Sequence, residues 1–369
     1  MIKSFYANTA LTFLIASSCL AMNETNEKSI TPKSNNFFSV AFCKDKIFLA
    51  GANGLSVYNT ITKQLINLCH QPTYHIALHP QLDKLAVSNE KELAIYNTYN
   101  ELKTWNTKPL EHWQLTPLTF NSIDDALYSY YKGIFTAHNA KGITVKKFSV
   151  FTNPESAHCK QITCHPTKKE FLYPSGRREI SITEPNSFNY NQTITSPEND
   201  YITHAIYNPD ATVIAINDLY EKCCIYEVKN SLLHLLEPPC PSIFYTSMAF
   251  HPHRNILALL TDKGAVHYWN YVRKKRIAIT DNYLQPNNDA DETIYIAHTK
   301  RLDFSPDGKH LAIALSTGYW ILTVPCNNVA MIYYALKNYV THDVAQLIIK
   351  SFTRVLELQH LDYFELLQT

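Results

Sequence analysis

Histidine and cysteine are the residue types in this chain best equipped for chemistry, with 16 His and 9 Cys among 369 residues. Imidazole serves as a metal ligand or general base, and a thiolate serves as a nucleophile or ligand. His79, His165 and His251 each precede a proline at the end of an apolar run, and they recur at intervals of 86 residues. That regularity puts them at equivalent turns of separate repeat units, where they stay too far apart to share one ion. His251 and His253 flank Pro252, in a turn too tight for a two-histidine site. No CxxC pair is present, so the spacing of a zinc or thioredoxin-type site is missing. The acidic stretch 287–292, Asn-Asn-Asp-Ala-Asp-Glu, lacks the glycine that gives a calcium loop its sharp turn. There is no glycine-rich phosphate cradle and no nucleophile elbow. The sequence therefore predicts no catalytic residue, no metal site and no cofactor.

The elements that would position such residues follow from composition and period. Aromatic residues make up 12% of the chain, with 24 Tyr and 17 Phe, and these side chains pack well on a pleated surface. Only 8 Gly are present, so turns must lean on Asn, Asp and Pro. The net charge of +1 provides no field for nucleic acid or an anionic membrane. The short basic run Arg273-Lys274-Lys275-Arg276 reads as a solvated strand edge.

Residues 1–21 have the three parts of a secretory signal. Lys3 gives the positive start, 11–16 the apolar stretch, and Ser18-Cys19-Leu20-Ala21 the small residues for cleavage. The expectation is an exported protein, periplasmic or secreted, with no integral membrane span. Ala16-Ser17-Ser18-Cys19 is a loose form of a lipid-attachment box, which admits a lipid-anchored form. The eight cysteines after Cys19 permit disulfides in an oxidising compartment, but Cys43, Cys164, Cys223 and Cys224 fall in or beside strands, where thiols act as small buried hydrophobes.

Halfway between the His-Pro turns stand related ones. The series runs Phe42-Cys43-Lys44, Leu78-His79-Pro80, Phe120-Asn121-Ser122, Cys164-His165-Pro166, Tyr207-Asn208-Pro209, Phe250-His251-Pro252 and Phe304-Ser305-Pro306. Each turn follows a short strand and precedes a second one, such as 256–260. A third strand ends in an aromatic plus a small polar residue, as in Tyr58-Asn59, Tyr96-Asn97 and Trp269-Asn270. A weaker fourth follows, as in 276–280. Four short strands per unit of about 40 to 45 residues predict a propeller blade, and seven units predict a seven-bladed all-β ring over 36–326.

Two stretches resemble the WD40 family. Asp303-Phe304-Ser305-Pro306-Asp307-Gly308-Lys309-His310-Leu311-Ala312 is similar to the family's passage from first to second strand, and Gly264–Asn270 to its Trp-Asp strand end, with Asn in place of Asp. No unit carries a Trp-Asp pair or the Gly-His dipeptide that opens family repeats. The resemblance implies a non-enzymatic scaffold that binds a protein partner through a propeller face. Alternatives are an exported lactonase-like propeller hydrolase and a TolB-like envelope assembly component; the latter has six blades where seven are counted here.

Residues 22–35 read as a linker containing a possible ring-closing strand within 28–35. From 327 to 369 the apolar period becomes helical, which predicts a short helical tail; 343–349 is similar to part of an F-box. Tyr74, Trp113, Tyr201, Tyr245 and Tyr295 precede the first strands of successive units, and aromatic residues there are the expected protein-binding set. The expected partner is a protein, not nucleic acid, and the chain is expected to be a monomer.

Overall fold

The Tyr-, Phe- and Ile-rich runs fold as their propensity dictates, and every regular element among the described residues is a β-strand. The structure is a computed structural model. It describes residues 37–324 apart from 80, 82, 90, 108–116, 132–133, 140–143, 150–160, 176–178, 185–189, 196–201, 219–222, 230–231, 237–242, 244, 281–300 and 316–317. The segments read from the sequence as a signal (1–21), a linker with a possible ring-closing strand (22–35) and a helical tail (327–369) lie outside the described residues. Contacts divide the chain into a unit of residues 30–321, which holds the propeller, and a second unit of 1–29 and 322–369.

Seven antiparallel sheets follow one another along the chain. They span 37–69, 73–107, 118–149, 163–195, 202–236, 245–279 and 302–323 and are numbered here as blades 1 to 7. Six are four-stranded, and blade 7 contributes three strands among the described residues. The strand of residues 256–261 runs one residue beyond the expected 256–260, and 275–279 lies one residue earlier than the expected 276–280.

Period two explains the ring. In the second strand of blade 2, Leu85 and Val87 pack on Ala41, Phe48 and Val57 of blade 1. Ala86, between them, packs on Leu118, Phe120 and Leu127 of blade 3. Alternate residues thus serve opposite seams, because a propeller blade is covered on both faces. This is why the second strands read as continuous apolar runs, buried at Ile214 and Ala215 and at Leu257 to Leu260. Each Leu so covered contributes about 2 kcal/mol, which no blade gains alone. The ring closes where Phe37, Val40, Phe42 and Leu49 of blade 1 pack with Ala312, Ala314 and Tyr319 of blade 7. There the Phe42 backbone N–H donates to Asp303 Oδ2 at 2.7 Å.

The turns bear out the reliance on Asn with one difference. Left-handed backbone is carried less by Asn or Gly than by Lys44, Lys63, Glu101, Asp125, Ala211 and Lys274. Asn instead accepts hydrogen bonds at the start of the turn.

Candidate functional site

Antiparallel order puts the connections from first to second and from third to fourth strand on one face of the ring, and the remaining connections on the other. Three third-to-fourth turns share one construction. Asn59, Asn97 and Asn270 end the third strands of blades 1, 2 and 6. Asn59 Oδ1 accepts from the N–H groups of Ile61 and Thr62, both at 2.9 Å. Asn97 Oδ1 accepts from those of Tyr99 and Asn100 at 2.9 and 3.1 Å. Asn270 Oδ1 accepts from that of Arg273 at 2.8 Å. Four residues after each Asn the chain takes a positive φ, at Lys63, Glu101 and Lys274. The residue after each Asn donates its N–H to the neighbouring turn of its own blade, at Asp45, Asp83 and Asn255.

This construction raises the second residue after the Asn to the tip, and in all three turns that residue is large and apolar. Ile61 is 74% exposed, Tyr99 79% and Val272 63%. Leu102, closing the Tyr99 turn, is also exposed. The Tyr99 turn is tied to blade 1 as well. Lys46 Nζ donates to the carbonyls of Thr98 and Tyr99 at 3.0 and 2.6 Å and pairs with Glu101 at 2.9 Å. Blades 6, 7, 1 and 2 are consecutive round the closed ring, so these tips occupy one arc of this face.

The aromatic residues singled out on the other face are placed unequally. Trp113, Tyr201 and Tyr295 lie outside the described residues. Tyr74 is half-buried and stacks on Phe38 of blade 1, with centroids 5.8 Å apart and planes within 6°. Both are the extra residue of a β-bulge, between Phe37 and Ser39 in blade 1 and between Thr73 and His75 in blade 2. The same bulge recurs between Tyr245 and Ser247, so blade 6 presents Thr246 where blade 2 presents Tyr74. Tyr245 stands one position earlier. It is 1% exposed, and its hydroxyl meets Nδ1 of the buried His267 at 3.1 Å. Tyr74 stands five residues before its turn histidine and Tyr245 six, so Tyr74 falls on the bulge that re-aims a side chain and Tyr245 on the paired position before it. Tyr245 is therefore a packing residue and offers a partner no surface.

The His-Pro histidines stay apart, each buried at its own seam. His79, His165 and His251 rest against Phe120, Tyr207 and Phe304 of the following blade, with centroids 5.0, 5.1 and 5.1 Å apart. Burial is the main cause that lowers the basicity of all three, and that of His251 falls to about 4. Among the described residues no group of three His, Cys, Asp or Glu is arranged to hold a metal ion, and no helix is long and apolar enough to cross a membrane. Cys43, Cys69, Cys164, Cys223 and Cys224 are free thiols. Burial pushes the Cys164 and Cys223 thiols well above their ordinary range.

Comparison with known proteins agrees on the fold. The chain is similar to the crystal structure of the Cps50 (Swd1) β-propeller domain of Myceliophteria thermophila, with a TM-score of 0.63 at 11% identity over 80% of this chain and 98% of that one. This places the chain among WD40-like seven-bladed propellers by fold. No family model and no curated protein sequence matches it.

Proposed function

We propose that this chain is an exported, non-enzymatic scaffold that binds a protein partner through one propeller face. The observation that carries the reading is the arc of preorganised apolar tips, Ile61, Tyr99 and Val272. Large side chains exposed to water are costly, and a rigid exposed aromatic loses little entropy when a partner covers it. The Tyr99 turn is fixed from both sides before any partner arrives. The fold supports the same reading by analogy, since propellers of this class commonly serve as binding platforms.

A second reading keeps the partner on the opposite face, at Tyr74, Trp113, Tyr201 and Tyr295. The Phe38–Tyr74 stack favours it, because it extends an aromatic surface across two blades. The enzyme alternatives, a lactonase-like hydrolase above all, require imidazoles and carboxylates converging on one centre. In the described blades the His-Pro histidines are committed to seams instead. Export rests on the signal-like residues 1–21, and release of a chain shortened by about that length into the exported fraction tests it.

The functional test is affinity capture from native lysate with the mature chain beside one ending at Cys326. The expected result is a stoichiometric protein retained by both, since the tips belong to the propeller. Loss of the partner from the shortened chain would move the contact to residues 327–369. Absence of any partner, with stoichiometric metal in the purified protein, would favour the hydrolase.

A further inference from the structure

Blades 2, 4 and 6 place a histidine at the turn where blades 3 and 5 place asparagine, and the hydrogen bonds define its state. His79 Nδ1 accepts the Gln81 backbone N–H at 3.1 Å, and His165 Nδ1 accepts that of Thr167 at 3.2 Å. His251 Nδ1 accepts those of His253 and Arg254, both at 3.0 Å. A backbone N–H only donates, so Nδ1 must be unprotonated and each ring neutral. A second proton would turn Nδ1 into a donor facing a donor, at a ring already wedged against the next blade's aromatic residue. We propose that His79, His165 and His251 form an acid-sensitive latch, whose protonation frees three alternate turns and loosens the seams between blades 2 and 3, 4 and 5, and 6 and 7.

The charged surroundings differ among the three. His79 faces Asp125 of blade 3, whose Oδ1 lies 3.2 Å from Nε2, and Lys84 of its own blade. Burial outweighs the carboxylate, but Asp125 makes this seam the least sensitive. His165 faces Lys168 of its own turn and the Tyr207 ring of blade 5. His251 faces Arg254 and His253 of its own turn, which oppose a charge, and Asp307 and the Gly308 backbone of blade 7, which favour one. Its seam leaves no room for another carbon, because a Cβ on Gly308 would lie 2.3 Å from His251 Cε1.

The sign follows from linkage. The folded rings hold their protons less tightly than in the unfolded chain, where histidine titrates near 6.5, so the unfolded state takes up more protons as pH falls. Stability is full above about pH 6.5 and declines below it. With His251 titrating at about 4, this residue alone lowers the folding equilibrium constant about 30-fold at pH 5.

The chain contains its own control. Asn121 and Asn208 occupy the equivalent turn, and their Oδ1 atoms accept from Ile123 N–H and Val213 N–H, both at 2.8 Å, without titrating. The test is urea unfolding of the full chain and of its H79N/H165N/H251N variant from pH 7.5 to 5.0. The variant is expected to gain at least about 30-fold in relative folding constant over the wild type across that range. Both chains share any contribution of His267, whose basicity burial also lowers to about 4, so it cancels in the difference. Parallel pH curves would overturn the proposal. If the triple variant does not fold, side-chain hydrogen exchange in the wild type titrates each ring directly. A value lowered from the ordinary 6.5 at His165 and one of about 4 at His251 support the latch, and ordinary values at either ring overturn it.

Discussion

Replacing Gly308 by alanine tests the blade 6–7 seam at one carbon atom. Gly308 adopts φ +71°, in the left-handed region, and donates its N–H to the Ser305 carbonyl at 2.8 Å. A side chain there adds about 1 to 2 kcal/mol of backbone strain wherever the residue sits. The new methyl would also stand 2.3 and 2.5 Å from Cε1 and Nε2 of His251. The imidazole has little room to withdraw. Two backbone N–H groups hold its Nδ1, and the Phe304 ring lies 5.1 Å away. The turn opposite is equally fixed, with Ser305 Oγ donating to Asp307 Oδ1 at 2.6 Å and accepting the His310 N–H at 2.9 Å. Overpacking of this kind costs about 1 to 3 kcal/mol. The total expected loss is therefore about 2 to 5 kcal/mol, read from urea unfolding at pH 7.5. A double-mutant cycle separates the two parts. In a His251→Ala background the clash is gone, and Gly308→Ala should cost only the strain of about 1 to 2 kcal/mol. Equal costs in the two backgrounds would refute the claim that His251 of blade 6 fills the space left by this glycine.

Asp303→Ala removes the carboxylate that accepts the Phe42 N–H across the ring closure; a loss of about 1.5 to 3 kcal/mol is expected in the same assay. Lys274→Gly relieves a left-handed lysine in the exposed Val272 turn and should raise stability by about 1 kcal/mol, seen as a higher melting temperature. Among the described cysteines, Cys43, Cys69 and Cys164 are partly exposed, with burial holding the Cys164 thiol well above its ordinary range, while Cys223 and Cys224 are buried. A thiol reagent on the native protein should therefore modify Cys43 and Cys69 first and reach the Cys223–Cys224 pair only on unfolding.

The ring was legible in the sequence because its period is carried by side chains with strong preferences. Three His-Pro turns 86 residues apart mark every second blade, and Phe304 to Gly308 marks a turn whose residue types allow few other conformations. The partner of each histidine also left a signal in the aromatic ends of the following first strands, Phe120, Tyr207 and Phe304. Its meaning needed the packing of one blade on the next. The tip residues were harder to read. Val272 stands in a run with Tyr268, Trp269 and Tyr271, which are buried, and only the turn set by Asn270 lifts it into water. Left-handed Lys63, Glu101 and Lys274 carry no sequence signature, since lysine and glutamate have no preference for that conformation. Tyr245 and Tyr74 differ in placement because Tyr74 stands five residues before His79 and Tyr245 six before His251, and only the position five before falls on the bulge.

The most direct test of the scaffold reading is partner affinity of the full chain carrying Ile61→Ser, Tyr99→Ser and Val272→Ser together, beside the wild type and a chain with Tyr74, Trp113, Tyr201 and Tyr295 replaced by alanine. All three substitutions in the first variant remove exposed side chains, so its unfolding midpoint should match the wild type. The captured partner should bind this variant at least tenfold more weakly, the equivalent of about 1.4 kcal/mol, while the aromatic variant binds as the wild type does. Undiminished binding by the tip variant would contradict the account, and if the aromatic variant alone lost the partner, the contact would belong to the opposite face.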